Sequence, residues 1–116
     1  MAMKRVILEM GAGIDLHGGD YTKAALRAVD DAIHHSSLTM IRSLGLNPKK
    51  DMYVHVTIGV QEPDKVDKEA VQAALLYGTV TVDVAKGGLN VPGDEITDVA
   101  VIASAAIAVR FDLPDS

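Results

Sequence analysis

The sequence predicts a single α+β domain spanning residues 1–116, with the element order β-α-β-α-β-β. Apolar residues recur at steps of three and four over two segments, which is typical of amphipathic helices. Over four other segments they alternate with polar residues, or occupy nearly every position, which is typical of strands. Glycine, proline or aspartate marks the changes of period and favours turns there. We therefore expect a four-stranded mixed sheet with both helices on one face.

A glycine-rich segment separates the first predicted strand from the first predicted helix. Residues 4–9 form a short apolar strand, and residues 10–20 form a loop in this interpretation. Asp20 is the predicted N-cap, because its carboxylate can accept hydrogen bonds from the unpaired amides of the first turn. The apolar positions that follow predict an amphipathic helix as far as Leu44, which Gly45 ends.

The middle of the chain predicts two strands with a short helix between them. Residues 52–60 and 79–85 both alternate with period two. The intervening helix is capped by Asp64 or Asp67 and ends at Gly78. The two strand-helix-strand units predict parallel strand pairs.

The end of the chain predicts a strand in the middle of the sheet. Residues 86–94 are rich in turn formers, and residues 96–109 are apolar at nearly every position. Such a strand should be buried on both faces. The connection before it is too short for a helical crossover, so the last two strands should form an antiparallel hairpin.

Two helices on one side of the sheet leave its second face uncovered by helices. The alternation places a semi-polar set of side chains there: Tyr53, His55, Thr57, Thr79, Thr81 and Asp83. The last strand adds alanine, valine and isoleucine to both faces. A face of this composition more often meets another sheet than bulk water, so we expect self-association.

Composition excludes several classes of function. The net charge is −5 and only 3% of residues are aromatic, whereas a nucleic-acid binder needs a basic surface and stacking platforms. No apolar run approaches the length that spans a membrane, and the first residues lack the apolar core of a secretory signal. The absence of cysteine excludes disulfides, a thiolate zinc site and a cysteine nucleophile. A cytoplasmic protein is the simplest expectation.

The most distinctive motif is the segment Gly11-Ala12-Gly13-Ile14-Asp15-Leu16-His17-Gly18. Residues two apart in an extended segment project to the same side, so the Asp15 carboxylate and the His17 imidazole would converge. A histidine beside a carboxylate is a workable general base. The glycines of the motif permit close approach of a ligand to the backbone: Gly11, Gly13 and Gly18. Because Asp15 and Asp20 repel a bare anion, a cation, an amine or a neutral polar ligand is expected.

Three residues outside this motif complete the predicted site. Glu9, just before the loop, is a candidate to support proton transfer. Lys86 would supply positive charge from an adjacent subunit, and Gly87 would let the backbone approach the ligand. The alternative interpretation is structural, with glycines that serve tight turns and a solvated lysine.

Two family resemblances rest on these elements and this motif. The element order resembles the chorismate-mutase-like fold, which implies a trimer with sheets inside, helices outside and sites between subunits. The motif of residues 11–18 is similar to the Gly-x-Gly-x-Asp-x-His-Gly pattern of a family of small uncharacterised proteins, and the chain is identified as a member of that family.

The same string is also similar to the start of methylerythritol cyclodiphosphate synthase, a trimeric zinc enzyme. That resemblance implies zinc ligands at Asp15 and His17. Arg27 stands where the third ligand of that enzyme, a histidine, would be.

The leading hypothesis is a homotrimer that binds a small polar metabolite between its subunits, with or without chemistry on it. Asp15, His17 and Glu9 would be the catalytic residues. One alternative is a zinc-dependent lyase or hydrolase whose third ligand is His34, His35 or His55. The other alternative is a structural oligomer without catalytic activity.

Overall fold

A computed structural model of the chain, which describes residues 2–16, 18–34, 52–75, 78–94 and 98–113, contains one mixed sheet of five strands and two helices. The elements in chain order are β1 (Ala2–Asp15), α1 (Tyr21–His34), β2 (Met52–Val60), a 3-10 turn (Pro63–Lys65), α2 (Lys68–Ala73), β3 (Thr79–Lys86), β4 (Leu89–Pro92) and β5 (Val99–Leu113). The predicted α+β class is confirmed. None of the described helices is long and apolar enough to cross a membrane.

Strand β5 lies in the middle of the sheet. It pairs antiparallel with β1 on one edge and antiparallel with β2 on the other, and β3 pairs parallel with β2 beyond it. The predicted central position of the last strand and the predicted parallel β2–β3 pair are therefore confirmed. The predicted pairing of the first two strands is wrong, because β5 lies between them and takes the hydrogen bonds of both.

The first strand extends further than the sequence predicts. Residues 10–15, predicted as loop, continue β1 as far as Asp15. Gly11 and Gly13 are extended residues of β1, and neither has a positive φ. They mark a close approach of helix and strand rather than a turn.

The number of strands also differs from the predicted four. The turn-rich stretch 86–94 contains β4, which pairs antiparallel with β5 through contacts such as Leu89 opposite Ile102. The predicted hairpin between the strand at 79–85 and the last strand is therefore wrong, because β3 pairs with β2 and β4 takes the place beside β5. The pairing of β2 with β5 ends at Gly59 opposite Ser104, so the edge of β5 beyond that point is available to a further strand. This available edge explains why four residues rich in turn formers adopt a strand.

Both described helices begin at the predicted aspartates. Asp20 Oδ1 accepts a hydrogen bond from the Lys23 amide at 3.0 Å, as an N-cap should. Asp67 caps α2 in the same way, with amide hydrogen bonds from the two residues Glu69 and Ala70. The predicted continuation of α1 to Leu44 lies outside the described residues.

The core lies between the helices and one face of the sheet. Helix α1 contributes a face of small side chains, and the strands contribute alternate positions that are buried on the same side: Ala24, Ala25, Ala28 and Ala32 from the helix, with Val54, Val56, Ile58, Val101, Ala103, Val109 and Phe111 from β2 and β5. Valines of β3 complete this layer with partial burial: Val80, Val82 and Val84.

The alanine face of α1 lies directly against the glycines of β1. A Cβ atom at Gly11 would sit 2.6 Å from the Ala28 carbonyl oxygen, and one at Gly13 would sit 2.7 Å from the Arg27 carbonyl carbon. Helix α1 also reaches the outer edge of β1, where Asp31 Oδ2 accepts a hydrogen bond from the Ala12 amide at 2.9 Å. The pattern Gly-x-Gly therefore sets the distance between helix and sheet.

We predict that Gly13→Ala lowers the free energy of unfolding by about 3 kcal/mol or more, because the added methyl group meets helix backbone that cannot rotate away. Chemical denaturation measures this loss. The control is Ala73→Ser, at an exposed position of α2 outside the core, which should change stability by about 0.5 kcal/mol or less. Equal stability of Gly13→Ala and the wild type would contradict the packing role of this glycine.

Candidate functional site

The carboxyl ends of three strands meet at one end of the sheet. Strands β1, β2 and β3 all run in the same direction, since the first two are antiparallel to β5 and the third is parallel to β2. Val101 of β5 pairs with Asp15, at the end of β1, on one edge and with Asn90 of β4 on the other edge. The Cα atoms of Asp15 and Asn90 are therefore about 10 Å apart. In open α/β sheets, which are mostly parallel, ligands commonly bind beyond the carboxyl ends of the strands.

Asp15 is buried at this end and has several partners. The residue is 3% exposed, and its Oδ2 accepts a hydrogen bond from the Asp20 amide at 2.9 Å. Its Oδ1 lies 3.7 Å from the Arg27 guanidinium and 4.0 Å from the Lys23 ammonium. Arg27 also donates to the Ile14 carbonyl at 2.6 Å. The contacts of this carboxylate thus link the end of β1 to the first turns of α1.

The other predicted residues of β1 do not gather around Asp15. Glu9 lies on the same strand face, six residues away, which is roughly 20 Å along an extended chain. The backbone of α1 lies directly against Gly11 and Gly13 and occupies the space where a ligand was expected. Gly18 adopts a φ of 90°, in the left-handed region that favours glycine, and no described residue beyond its chain neighbours lies within 4 Å of where a Cβ atom would be.

The second predicted loop lies at the same end of the sheet within one chain. Lys86 lies opposite Val60, and the Gly87 amide donates to the Val60 carbonyl at 2.8 Å. The Gln61 side-chain amide donates to the carbonyls of Gly87 and Gly88, both at 3.1 Å. The loop carbonyls are therefore fixed by β2 and its next residue, and no adjacent subunit is needed to bring Lys86 to this end.

The residues of the predicted zinc site lie only partly within the described part of the chain. His17 and His35 lie outside the described residues, and His34 donates its Nδ1 proton to the Asp30 carbonyl at 2.6 Å. Both carboxylate oxygens of Asp15 already have partners. Oδ2 accepts a hydrogen bond from the Asp20 amide, and Oδ1 lies beside the Arg27 guanidinium. Across the described part of the chain, no three His, Cys, Asp or Glu side chains lie close enough to share one ion.

A polar cluster that sequence analysis did not identify lies beside the start of α1. The Tyr21 hydroxyl donates to Glu62 Oε2 at 2.7 Å and accepts from the Asn90 side-chain amide at 2.6 Å. Lys65 Nζ lies 3.3 Å from Glu62 Oε1 and 5.8 Å from the centre of the Tyr21 ring. This cluster joins α1, the residues after β2, and β4.

The cluster changes the proton affinities of its members. Burial, followed by the hydrogen bond to the Glu62 carboxylate, raises the pKa of Tyr21 above its ordinary value. The hydrogen bond from Tyr21, followed by that from Lys65, lowers the pKa of Glu62. At neutral pH the two groups are therefore a neutral phenol and a carboxylate.

A second polar region lies on the open face, which is the sheet face turned away from α1 and α2. Residues directly opposite each other on paired strands project to the same side, so the pairing defines rows across this face. The rows, written from β1 through β5 and β2 to β3, are Arg5, Arg110, Tyr53 and Thr79; Leu8, Ala108, His55 and Thr81; Met10, Ala106, Thr57 and Asp83; and Ala12, Ser104, Gly59 and Ala85.

A groove of about 260 Å³ lies at the first two rows, lined by Tyr53, Val54, His55, Thr79, Thr81 and Arg110. His55 Nε2 lies 2.7 Å from Asp83 Oδ2, diagonally across β2 and β3. Because a carboxylate can only accept, this contact assigns the proton to Nε2 and leaves Nδ1 as the second hydrogen-bonding atom of the ring. The groove thus combines a His–Asp pair with hydroxyl groups and a guanidinium.

The period-two pattern had placed His55 and Asp83 on one face, which is confirmed. Their contact requires the register of β2 against β3, with Thr57 opposite Asp83, and register is not visible in the pattern of either strand alone. Arg5 and Arg110 were missed for the same reason, since they are 105 positions apart in the chain and meet only through the β1–β5 register.

The fold and these two regions define a small α+β protein with a five-stranded mixed sheet, both described helices on one face, and a polar groove on the other. Residues 5–109 match a family of conserved hypothetical proteins, Lin0512_fam, and the chain belongs to this family. No curated protein matches the chain.

A solved structure extends the comparison to nearly the whole chain. The crystal structure of an FtsZ-like protein of unknown function from Nostoc punctiforme PCC 73102 is similar, with a TM-score of 0.84 and 39% sequence identity. The match covers 97% of this chain and 99% of the other. The fold is therefore shared with an experimentally determined relative.

We predict that Asp15→Asn lowers the free energy of unfolding by about 1–2 kcal/mol, because the amide still accepts from Asp20 but no longer attracts Arg27 and Lys23. Thermal denaturation measures the change. Asp30→Asn, at an exposed carboxylate of the same helix, is the control and should cost less than about 0.5 kcal/mol. If Asp15→Asn and the wild type have the same free energy of unfolding, the contact between β1 and α1 does not depend on this charge.

We also predict that Tyr21→Phe destabilises the protein at neutral pH and that the difference narrows in acid. The pKa of Glu62 is lower in the folded state than its unfolded value of 4.5. The stability that the Tyr21–Glu62 hydrogen bond contributes is therefore complete above the unfolded pKa and is lost as the pH falls through the folded pKa. Denaturation midpoints of both proteins between pH 7 and about pH 3 test this. A difference that does not change with pH would contradict the coupling of the two groups.

Proposed function

We propose that the protein is a homo-oligomer that packs through its open face and binds a small polar metabolite in the groove at that contact. The observation that carries this proposal is an apolar sheet surface directly beside a groove whose lining includes His55, Arg110 and two threonines. Four large apolar side chains of β1 and β4 are between 44% and 71% exposed on this face: Leu8, Met10, Ile14 and Leu89. An exposed apolar surface of this size marks a protein contact more often than a solvated face.

The shape of the open face suits a second sheet. The central strand β5 presents small residues on this face, Ala108, Ala106 and Ser104, and larger apolar side chains lie toward β1 and β4. Each strand residue covers about 16 Å² of sheet, so the five strands of 14, 9, 8, 4 and 15 residues present roughly 800 Å². A stable interface of ordinary size buries about that area on each partner.

We place the ligand in the groove rather than at Asp15. The Asp15 carboxylate has partners on both oxygens, and the glycines before it are covered by α1. The groove instead presents polar atoms of several types to one space, next to a surface that a second chain would cover. A small cavity with convergent polar groups beside an apolar surface is the usual form of a small-molecule site.

The number of subunits that we propose is three. The element order resembles that of chorismate-mutase-like trimers, in which sheets face inward and sites lie between subunits. Three chains of 12.3 kDa give an assembly of about 37 kDa. The enclosed groove would then lie inside the assembly while α1 and α2 remain on the outside.

We predict that light scattering of the wild type gives a mass of about 37 kDa and that Met10→Lys lowers it toward 12.3 kDa. The substitution places a charge in the middle of the proposed contact, where it cannot be solvated. Ala73→Lys introduces the same residue at an exposed position of α2 and should leave the mass unchanged. A monomeric wild type at micromolar concentration would overturn the proposed assembly.

A further inference from the structure

Two arginines stand side by side at the end of the open face that holds the groove. Arg5 of β1 lies directly opposite Arg110 of β5, and the next residue in that row, Tyr53, lines the groove together with Arg110. Residues directly opposite on antiparallel strands have Cβ atoms about 5 Å apart, and like charges in that position destabilise the pair of strands. The arrangement therefore has an electrostatic cost in the chain by itself.

Nothing in the described part of the chain offsets this cost. Among the described side chains, neither Arg5 nor Arg110 forms an ion pair. The chain as a whole is acidic, with a net charge of −5, so two adjacent cations are a local feature rather than a consequence of composition. In the proposed assembly the open face loses water, and two adjacent unpaired cations become still more costly there.

We propose that the ligand of the groove carries an oxyanion, a carboxylate or a phosphate, that Arg5 and Arg110 bind together. This inference rests on the proposed function, because it names the chemical class of the metabolite at the same site. Guanidinium groups donate two parallel hydrogen bonds to such anions, and these charge-assisted bonds are among the strongest that a side chain makes. One anion between the two arginines neutralises their mutual repulsion.

The rest of the groove binds the remainder of the ligand. His55 is held by Asp83 through Nε2, and its Nδ1 has no partner among the described residues. Tyr53, Thr79 and Thr81 line the groove with side chains that carry hydroxyl groups. The anionic group therefore lies toward β1, and a hydroxyl, carbonyl or amine of the same molecule lies toward His55 and β3.

Calorimetric titration with inorganic phosphate and, separately, with succinate tests the inference on the full chain. We expect at least one probe to bind with a dissociation constant in or below the millimolar range. Arg5→Gln and Arg110→Gln should each weaken binding by about tenfold or more, because each removes one charge-assisted contact. Lys4→Gln is the matched control, since it removes the same charge from the neighbouring residue, whose side chain projects to the other face, and it should leave binding unchanged.

A second measurement keeps the test valid if a variant is unstable. The imidazole NMR signals of His55 should shift when the wild type is titrated with the binding probe. They should not shift when the probe is added to a folded Arg110→Gln protein. Phosphate-only or succinate-only binding supports the site and identifies the type of anion. Binding of neither probe overturns the inference, and so does binding that both arginine variants leave unchanged.

Light scattering on the same samples separates this inference from the proposed assembly. A monomeric chain that binds a probe through Arg5 and Arg110 supports the oxyanion site and overturns only the assembly. An oligomeric chain that binds neither probe supports the assembly and overturns the oxyanion site.

Discussion

The pairing of β5 with strands on both of its edges determines the rest of this structure. Since β1 and β2 are each antiparallel to β5, they run in the same direction, and β3 follows β2. Their carboxyl ends therefore meet at one end of the sheet, where Asp15 and Glu62 each contact the first turns of α1. The same pairing brings Arg5 and Arg110 together from opposite ends of the chain.

The two faces of the sheet differ in composition, and the described helices cover only one of them. On the helix side, an alanine face on α1 and two glycines on β1 let the helix lie against the strand, and Asp15 fixes the end of that contact. On the open face, small residues of β5 lie between the exposed apolar side chains of β1 and a groove with cationic and hydrogen-bonding groups. The distinctive sequence motif thus belongs to the first face, whereas the candidate ligand groove belongs to the second.

Local patterns predicted the parts of the fold that depend on local physics. The alternation over 52–60 identified β2 to the residue, and Asp20 and Asp67 were recognised as caps because their side chains act on amides only two or three residues away. The glycines of β1 were misinterpreted as a loop, because a glycine required by a neighbouring helix looks the same in sequence as one required by a turn. Whether Gly13 faces solvent or Ala28 depends on tertiary packing.

The candidate site was harder to predict than the fold. His55 and Asp83 were placed on one face by their period, but their 2.7 Å contact and the Arg5–Arg110 pair depend on register between strands that are distant in sequence. Register is determined by burial across the whole sheet and not by the residues of one strand. The motif at Asp15 is visible in the sequence because its residues are adjacent in the chain, whereas the residues of the groove come from three strands.

The solvent accessibility of Met10 tests directly whether a second chain covers the open face, since this side chain is 71% exposed in a single chain and lies in the middle of the proposed contact. Oxidation by a mild peroxide, followed by mass spectrometry, measures it residue by residue. We expect Met10 to be protected in the native protein and to become reactive when the assembly is dissociated by dilution. Oxidation of native Met10 at the rate of a fully solvated methionine, at all protein concentrations, would contradict this expectation.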